Sequence, residues 1–241
     1  MTISRLAIVG LGPSSHKYID DVDRVGDRKA LFDETWTFNS FVSVIESDRL
    51  FHMDDVKVQE LRAKAGNFRV KNMLEAMKRY AGPIYTSSPE PEYPTMIAYP
   101  LPAIVAKYNS LYFSTTPPYA AAYAGLVGVK EVYLYGMDYT WPGVAGAEGG
   151  RGCMEYWVGR LQGLGIRVQV HSTSSLLDTR LSTKDNIQLY GFDRYKIRLE
   201  EREEDKVALV WEPKPLPTAE EIEERYCHKK PASDVALDVV N

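Results

Sequence analysis

Short apolar blocks separated by polar, glycine-punctuated stretches organise the first two thirds of the chain. Leu6-Ala7-Ile8-Val9 is a continuous apolar run that stops at Gly10, the pattern of a strand buried on both faces. Strand-like runs follow at residues 34–38, 49–53, 83–86, 131–135 and 166–170. Helical spacing is found at residues 56–64, 71–81, 117–126 and 153–164. Gly128 and Gly165 each stand between a helix and the next strand, where glycine ends a helix in a left-handed conformation. Strands alternating with helices predict an α/β, Rossmann-like fold: a mostly parallel sheet with helices on both faces.

Two stretches depart from that grammar. Residues 143–152 hold five glycines and no apolar period, which predicts a mobile loop after the fifth strand, where α/β proteins handle ligands. Beyond Tyr195 the sequence is charged and proline-punctuated. The chain therefore divides into a nucleotide-binding catalytic domain at 1–195 and a charged C-terminal extension at 196–241, with disorder expected after about residue 230. Thr218 followed by Glu221 is the spacing of a capping box at the start of a short helix.

The 241 residues suffice for one sizeable domain and an appendage, and 16 Tyr, 7 Phe and 4 Trp supply core material that a disordered chain lacks. No apolar run reaches the roughly 18 residues of a membrane span, and the opening residues lack the zones of a signal peptide. Cys153 and Cys227 are too few for a disulfide framework or a cysteine metal site. These features predict a cytoplasmic protein. The net charge of −4 conceals a segregation: residues 56–80 carry Lys57, Arg62, Lys64, Arg69, Lys71, Lys78 and Arg79 against Glu60 and Glu75. That surplus is either a solvated helix face or a contact for a polyanionic acceptor.

Candidate chemistry lies at the strand ends. Gly10-Leu11-Gly12-Pro13-Ser14-Ser15 turns sharply after the first strand, and Pro13 suits a first helical position. The hydroxyls of Ser14 and Ser15 beside helix-start amides suit a phosphate. Neither the dinucleotide fingerprint nor a P-loop is present, since Ser15 replaces a third glycine and no Gly-Lys-Ser/Thr follows. Ser114-Thr115-Thr116-Pro117-Pro118 repeats that chemistry, with Thr116 as the expected N-cap of an alanine-rich helix. Asn39, Asp54 with Asp55, and Asp138 after Gly136 fall at the carboxyl ends of strands, which line the ligand crevice of a parallel sheet. His52, His171, Trp36, Trp157 and Trp211 read as structural, and Trp141 as a residue to watch beside the glycine stretch.

Taken in order, Val9-Gly10-Leu11-Gly12-Pro13-Ser14, Asn39, Ser114-Thr115-Thr116 and Lys130 to Asp138 resemble the bacterial sialyltransferases of the Campylobacter type. They also resemble the related group with motility accessory factors and archaeal hydroxymethylpterin diphosphokinase, and phage-encoded proteins opening with the same turn. Residues 166–177, with Ser174-Ser175-Leu176-Leu177, are similar to the strand and turn that follow in those sialyltransferases. The resemblance implies a GT-A-variant-like Rossmann fold without a metal-binding Asp-x-Asp, with a CMP-sugar lying over the glycine turn, Asn39 and the Ser/Thr turn. Where that family has a histidine base, this chain has Glu148-Gly149-Gly150-Arg151-Gly152-Cys153. Glu148 falls near the base position and Arg151 near a departing phosphate. Tyr139 stands one place before the family's tyrosine position, which holds Thr140.

Three functions are compatible with these residues. The first is a glycosyltransferase using a nucleotide-sugar donor and no cofactor, with Glu148 or Asp138 as base and Arg151 assisting. Its acceptor is a glycan or a hydroxymethylated DNA base reached through Lys57, Arg62, Lys64, Arg69 and Lys71. The second is a diphosphokinase using ATP, with magnesium on Asp54, Asp55 and Asp138. The third is a nucleotide-binding protein without catalysis. A phage-encoded member would work in the host cytoplasm.

Overall fold

The computed structural model describes residues 3–140, 144–177, 187, 189, 191–192, 194–202 and 207–226. Trp141, Cys227 and the tail expected to be disordered lie outside these residues.

Strands β1 (Arg5–Val9), β2 (Glu34–Phe38), β3 (Arg49–Phe51), β4 (Ile84–Thr86), β5 (Met96–Ala98), β6 (Glu131–Tyr135) and β7 (Arg167–Val170) form one sheet. Their order is β5-β4-β3-β2-β1-β6-β7, and every pairing is parallel. The helices are α1 (His16–Val25), α2 (Arg28–Leu31), α3 (Val56–Lys64), α4 (Phe68–Arg79), α5 (Leu101–Tyr108), α6 (Thr116–Val127) and α7 (Val144–Gly163). The expected Rossmann-like α/β architecture is therefore present.

Alternation along β1 divides the core. Leu6 and Ile8 face the side carrying α5, α6 and α7, while Ala7 and Val9 pack with Tyr18 of α1 and Phe32. Ala120, Ala121, Ala122 and Ala124 of α6 are wholly buried, since their small side chains let the helix lie close over the aromatic rings of the sheet. Trp36 and Trp157 are likewise core residues with no exposed surface. Burying an aromatic of this size contributes on the order of 2 to 3 kcal/mol.

The glycine-rich segment is a correction to the sequence reading. Residues 144–152 are the first turns of α7, not a loop. Glycine here allows close packing: a Cβ on Gly150 would lie 2.6 Å from the Tyr139 ring and 3.1 Å from Thr115 Cγ2. Two residues distant from Gly150 in the sequence thus occupy space that a side chain on the helix would need.

The chain divides into two units, residues 1–180 and 181–241. The sequence reading places its boundary after residue 195. Within the second unit, β8 (Tyr195–Glu201) pairs antiparallel with β9 (Val207–Pro213), and Arg198 bridges Glu200 and Glu212. Helix α8 (Ala219–Tyr226) opens with the expected capping box: Glu221 N–H donates to Thr218 Oγ1 at 3.2 Å, and Thr218 N–H donates to Glu221 Oε2 at 2.8 Å.

Two half-buried carboxylates tie β2 to its neighbours. Asp48 accepts from Arg28 Nη1 at 2.6 Å, Lys29 Nζ at 2.7 Å and the Thr35 amide at 2.7 Å. Glu34 accepts from Arg49 and from Trp36 Nε1. Burial would raise both carboxyls, but these donors outweigh it and hold both below the usual range. Lowered folded values mean that their contribution is complete above the unfolded values of about 4 and is lost as pH falls through the folded ones. Thermal stability is therefore expected to hold from pH 7 to 5 and to decline below about pH 4. Asp48→Asn should melt lower at neutral pH and lose less on acidification. Equal acid slopes for the two proteins would remove Asp48 from this account.

Candidate functional site

Strands β2 to β5 lie on one side of β1, and β6 with β7 on the other. Such a reversal opens a crevice at the carboxyl ends of the two flanking strands. A cleft of ≈ 630 Å³ lies there. Gly10, Leu11, Gly12 and Pro13 line it after β1, Phe38 and Asn39 at β2, and Asp54 after β3. Gly136, Met137, Tyr139 and Thr140 follow β6, and Ser114, Thr115, Thr116 and Pro117 enter from the start of α6.

The two loops at the centre touch backbone to backbone. The Gly10 amide donates to Tyr135 O and the Gly12 amide to Gly136 O, each at 2.8 Å. Gly136 sits at φ +66°, and a Cβ there would collide with the Gly10 carbonyl; one on Gly10 would meet Gly136 O at 2.6 Å. Only glycine allows the chains to approach this closely.

Ser14 and Asp138 form the strut beneath. The Ser14 amide donates to Asp138 Oδ2 at 2.6 Å, and Ser14 Oγ accepts from the Gly136 amide at 2.9 Å. Both residues are buried and neither lines the cleft. The Ser14 amide, expected to donate to a phosphate, thus already donates to a carboxylate. Ser15 also lies outside the cleft lining, and its amide donates to Gly12 O at 3.0 Å. Asp138 Oδ1 is buried without a hydrogen-bond partner, and the Asp138 carbonyl accepts from Ser175 Oγ.

Asn39 and Tyr139 hold left-handed backbone angles, φ +46° and +47°. Asparagine tolerates that region, but a bulky tyrosine there is a genuine outlier, and such strain clusters at ligand sites. Burial pushes the Tyr139 phenol up and keeps it protonated. His52 is wholly buried behind Asn39, with Nδ1 2.7 Å from Asn39 Oδ1. Burial lowers the His52 imidazole, against the opposing pull of the Asp54 carboxylate, so it stays neutral.

At α6, Thr115 rather than Thr116 is the N-cap, and its side chain makes no capping bond. Pro117 and Pro118 supply no amide hydrogens to the first turn, leaving the Thr116 amide and the neighbouring hydroxyls as the polar groups at this end. Ser114 Oγ donates to Gly149 O at 3.0 Å, linking this segment to α7.

The remaining site residues are dispersed. Glu148 is exposed on α7, adjacent in sequence to Gly149, and does not line the cleft. Arg151 pairs with Glu155 at 2.9 Å. Asp55 is spent capping α3 through the Lys57 and Val58 amides. Lys57 lies within 3.5 Å of Glu60, Glu90 and Glu92, which cancel its charge locally. Arg62, Lys64, Arg69 and Lys71 are exposed and none lines the cleft. Sequence reasoning missed Leu11, Phe38 and Met137 as lining residues, and Tyr139 and Thr140 had been noted only through the family's tyrosine position.

No helix among the described residues is long and apolar enough to cross a membrane. No family model matches the chain, and no curated protein matches it. Among solved structures it is similar to the sialyltransferase CstII from Campylobacter jejuni in complex with the substrate analogue CMP-3FNeuAc, at 16% identity and TM-score 0.44, covering 92% of this chain and 99% of that one. The same enzyme with cytidine-5'-monophosphate matches at 14% identity and TM-score 0.43, over 94% of this chain and 98% of that one. With a trisaccharide acceptor and CMP the values are 15% and 0.42, over 92% and 99%.

Proposed function

We propose that this protein is a glycosyltransferase that binds a nucleotide-activated sugar in the switch-point cleft and transfers the sugar to an acceptor hydroxyl. One observation carries the reading: a cleft of nucleotide size brings Asn39 and Asp54 on one side together with Ser114, Thr115, Thr116 and the start of α6 on the other. The amide and carboxylate suit a nucleoside, while the Thr115 and Thr116 hydroxyls and the Thr116 amide at the positive end of a helix suit its phosphate. The sequence motifs make a CMP-sugar the first donor to offer.

In the transfer, the acceptor oxygen bonds to the anomeric carbon as the glycosyl–phosphate bond breaks, and the bonding pair leaves with the nucleotide. The α6 start would stabilise the charge gathering on that phosphate. Neither candidate acid lines the cleft; Asp138 is buried on the Ser14 amide, so exposed Glu148 is the one assigned the acceptor proton. A glycan or other small hydroxylated acceptor fits better than DNA, since the leading cation of the basic segment is matched by three glutamates. The diphosphokinase reading loses support for a similar reason: Asp55 and Asp138 are engaged apart, and no three acidic, histidine or cysteine side chains gather among the described residues.

Thermal stability with a panel of nucleotides and nucleotide sugars, with and without EDTA, tests the reading. Ligand at about a hundred times its Kd adds roughly 2.7 kcal/mol to a native state that alone binds it. A shift with one nucleotide family that survives EDTA is the expected outcome; a shift with ATP that EDTA abolishes favours the diphosphokinase. Glu148→Gln should then lower kcat by about 10²- to 10⁴-fold while leaving donor binding intact. Unchanged turnover in that variant removes Glu148 as the base.

A further inference from the structure

The buried histidine behind the cleft has a role that its burial alone does not require. His52 has no exposed surface, its Nδ1 lies 2.7 Å from Asn39 Oδ1, and its Nε2 is buried without a hydrogen-bond partner. A neutral imidazole carries its hydrogen on one nitrogen only. If it sits on Nδ1, it donates to Asn39 Oδ1 and leaves Nε2 as a bare lone pair. If it sits on Nε2, a buried N–H is orphaned, and the Asn39 amide must turn over to donate to Nδ1. An orphaned buried donor is rarer in proteins than an under-used acceptor, so the first arrangement wins.

We propose that His52 is a positioning residue that fixes the Asn39 amide with its nitrogen toward the cleft, so that this wall selects a hydrogen-bond acceptor on the ligand. Asn39 lines the cleft, and its left-handed backbone limits the other ways its side chain can be aimed. Asp54 on the same wall is acceptor-only when ionised. The pair therefore matches a ligand edge that offers an acceptor beside a donor, as a nucleobase or a vicinal sugar hydroxyl does. This inference rests on the cleft being the ligand site, so its test needs one readout that is independent of any ligand.

That readout is ¹⁵N NMR of the free protein labelled at histidine, with His52→Leu supplying the assignment among the four histidines. The Nδ1–H form is expected, and a dominant Nε2–H form overturns the proposal. Binding of CMP, UMP and GMP by calorimetry is the second readout. His52→Leu, measured at a temperature where it is fully folded, should bind the preferred nucleotide at least tenfold more weakly, because nothing then holds Asn39. His52→Asn, whose amide nitrogen can stand near the place of Nδ1 and donate to Asn39, should recover binding to within about threefold of the parent. Binding in His52→Leu equal to the parent's overturns the proposal. Should none of the three nucleotides bind the parent protein, the reading of the cleft fails, and the imidazole spectrum alone decides the role of His52.

Discussion

Gly136→Ala is expected to cost the protein roughly 2 to 5 kcal/mol of stability, from about 1–2 kcal/mol for a left-handed non-glycine and a further 1–3 kcal/mol for overpacking. Both terms apply because Gly136 has φ +66° and its Cβ would strike the Gly10 carbonyl. That carbonyl is backbone at the end of a central strand, so it cannot move aside as a flexible side chain would. Relief would require the β1 and β6 loops to separate, breaking the Gly12 amide's bond to Gly136 O and displacing Pro13 and Thr140 on the cleft wall. Stability and ligand binding should therefore fall together. Gly128→Ala is the matched control: it has φ +76° at the end of α6, but nothing stands within 4 Å of the added Cβ. It should lose only the backbone part, about 1–2 kcal/mol. Urea midpoints for the two variants measure the difference, and equal losses would show that the loops are less tightly apposed than the structure has them.

The central sheet was legible because its strands announce themselves by content. Leu6-Ala7-Ile8-Val9 is apolar on both faces, as buried parallel strands are, and Glu34–Phe38 alternates the large Trp36 and Phe38 with β-branched Thr35 and Thr37. Helix α1 was legible only at its start, through Pro13: of its ten residues only Tyr18 is buried, and five are charged. Strand β5 is three residues at the sheet edge with only Met96 buried, too short to carry a period. The start of α7 was misread for the opposite reason, since glycine signals a loop by propensity while here it serves close packing on Tyr139. In the cleft, Asn39, Asp54 and the Ser/Thr turn could be found from their places at strand and helix ends. The engagement of Ser14 with Asp138 could not, because the two are 124 residues apart and meet only through the fold. A carboxylate at a strand end looks the same in sequence whether it faces a ligand or a backbone amide.

Asp138 is where that ambiguity can be resolved. As a strut, its carboxylate holds the Ser14 amide at 2.6 Å in a site with 4% of its surface exposed. Gly12 is constrained by it as well, since a Cβ there would collide with Asp138 Oδ2. Asp138→Ala removes a charge-assisted hydrogen bond and orphans the Ser14 amide, so a loss of about 2–3 kcal/mol is expected. Asp138→Asn separates structure from chemistry. Its amide oxygen can still accept from Ser14, but without the negative charge, while its NH₂ takes the place of Oδ1, a buried atom with no hydrogen-bond partner. A strut should therefore lose on the order of 1 kcal/mol of stability in Asp138→Asn, about half the loss of the alanine variant, and turnover should fall only as far as the population of folded protein does. A base would behave otherwise: the asparagine variant would keep its melting temperature and lose about 10²- to 10⁴-fold in kcat. Denaturation midpoints measured beside turnover in the two variants distinguish these outcomes. The hydrogen bond to Ser14 favours the first, which leaves Glu148 as the acid whose removal should slow transfer without loosening the fold.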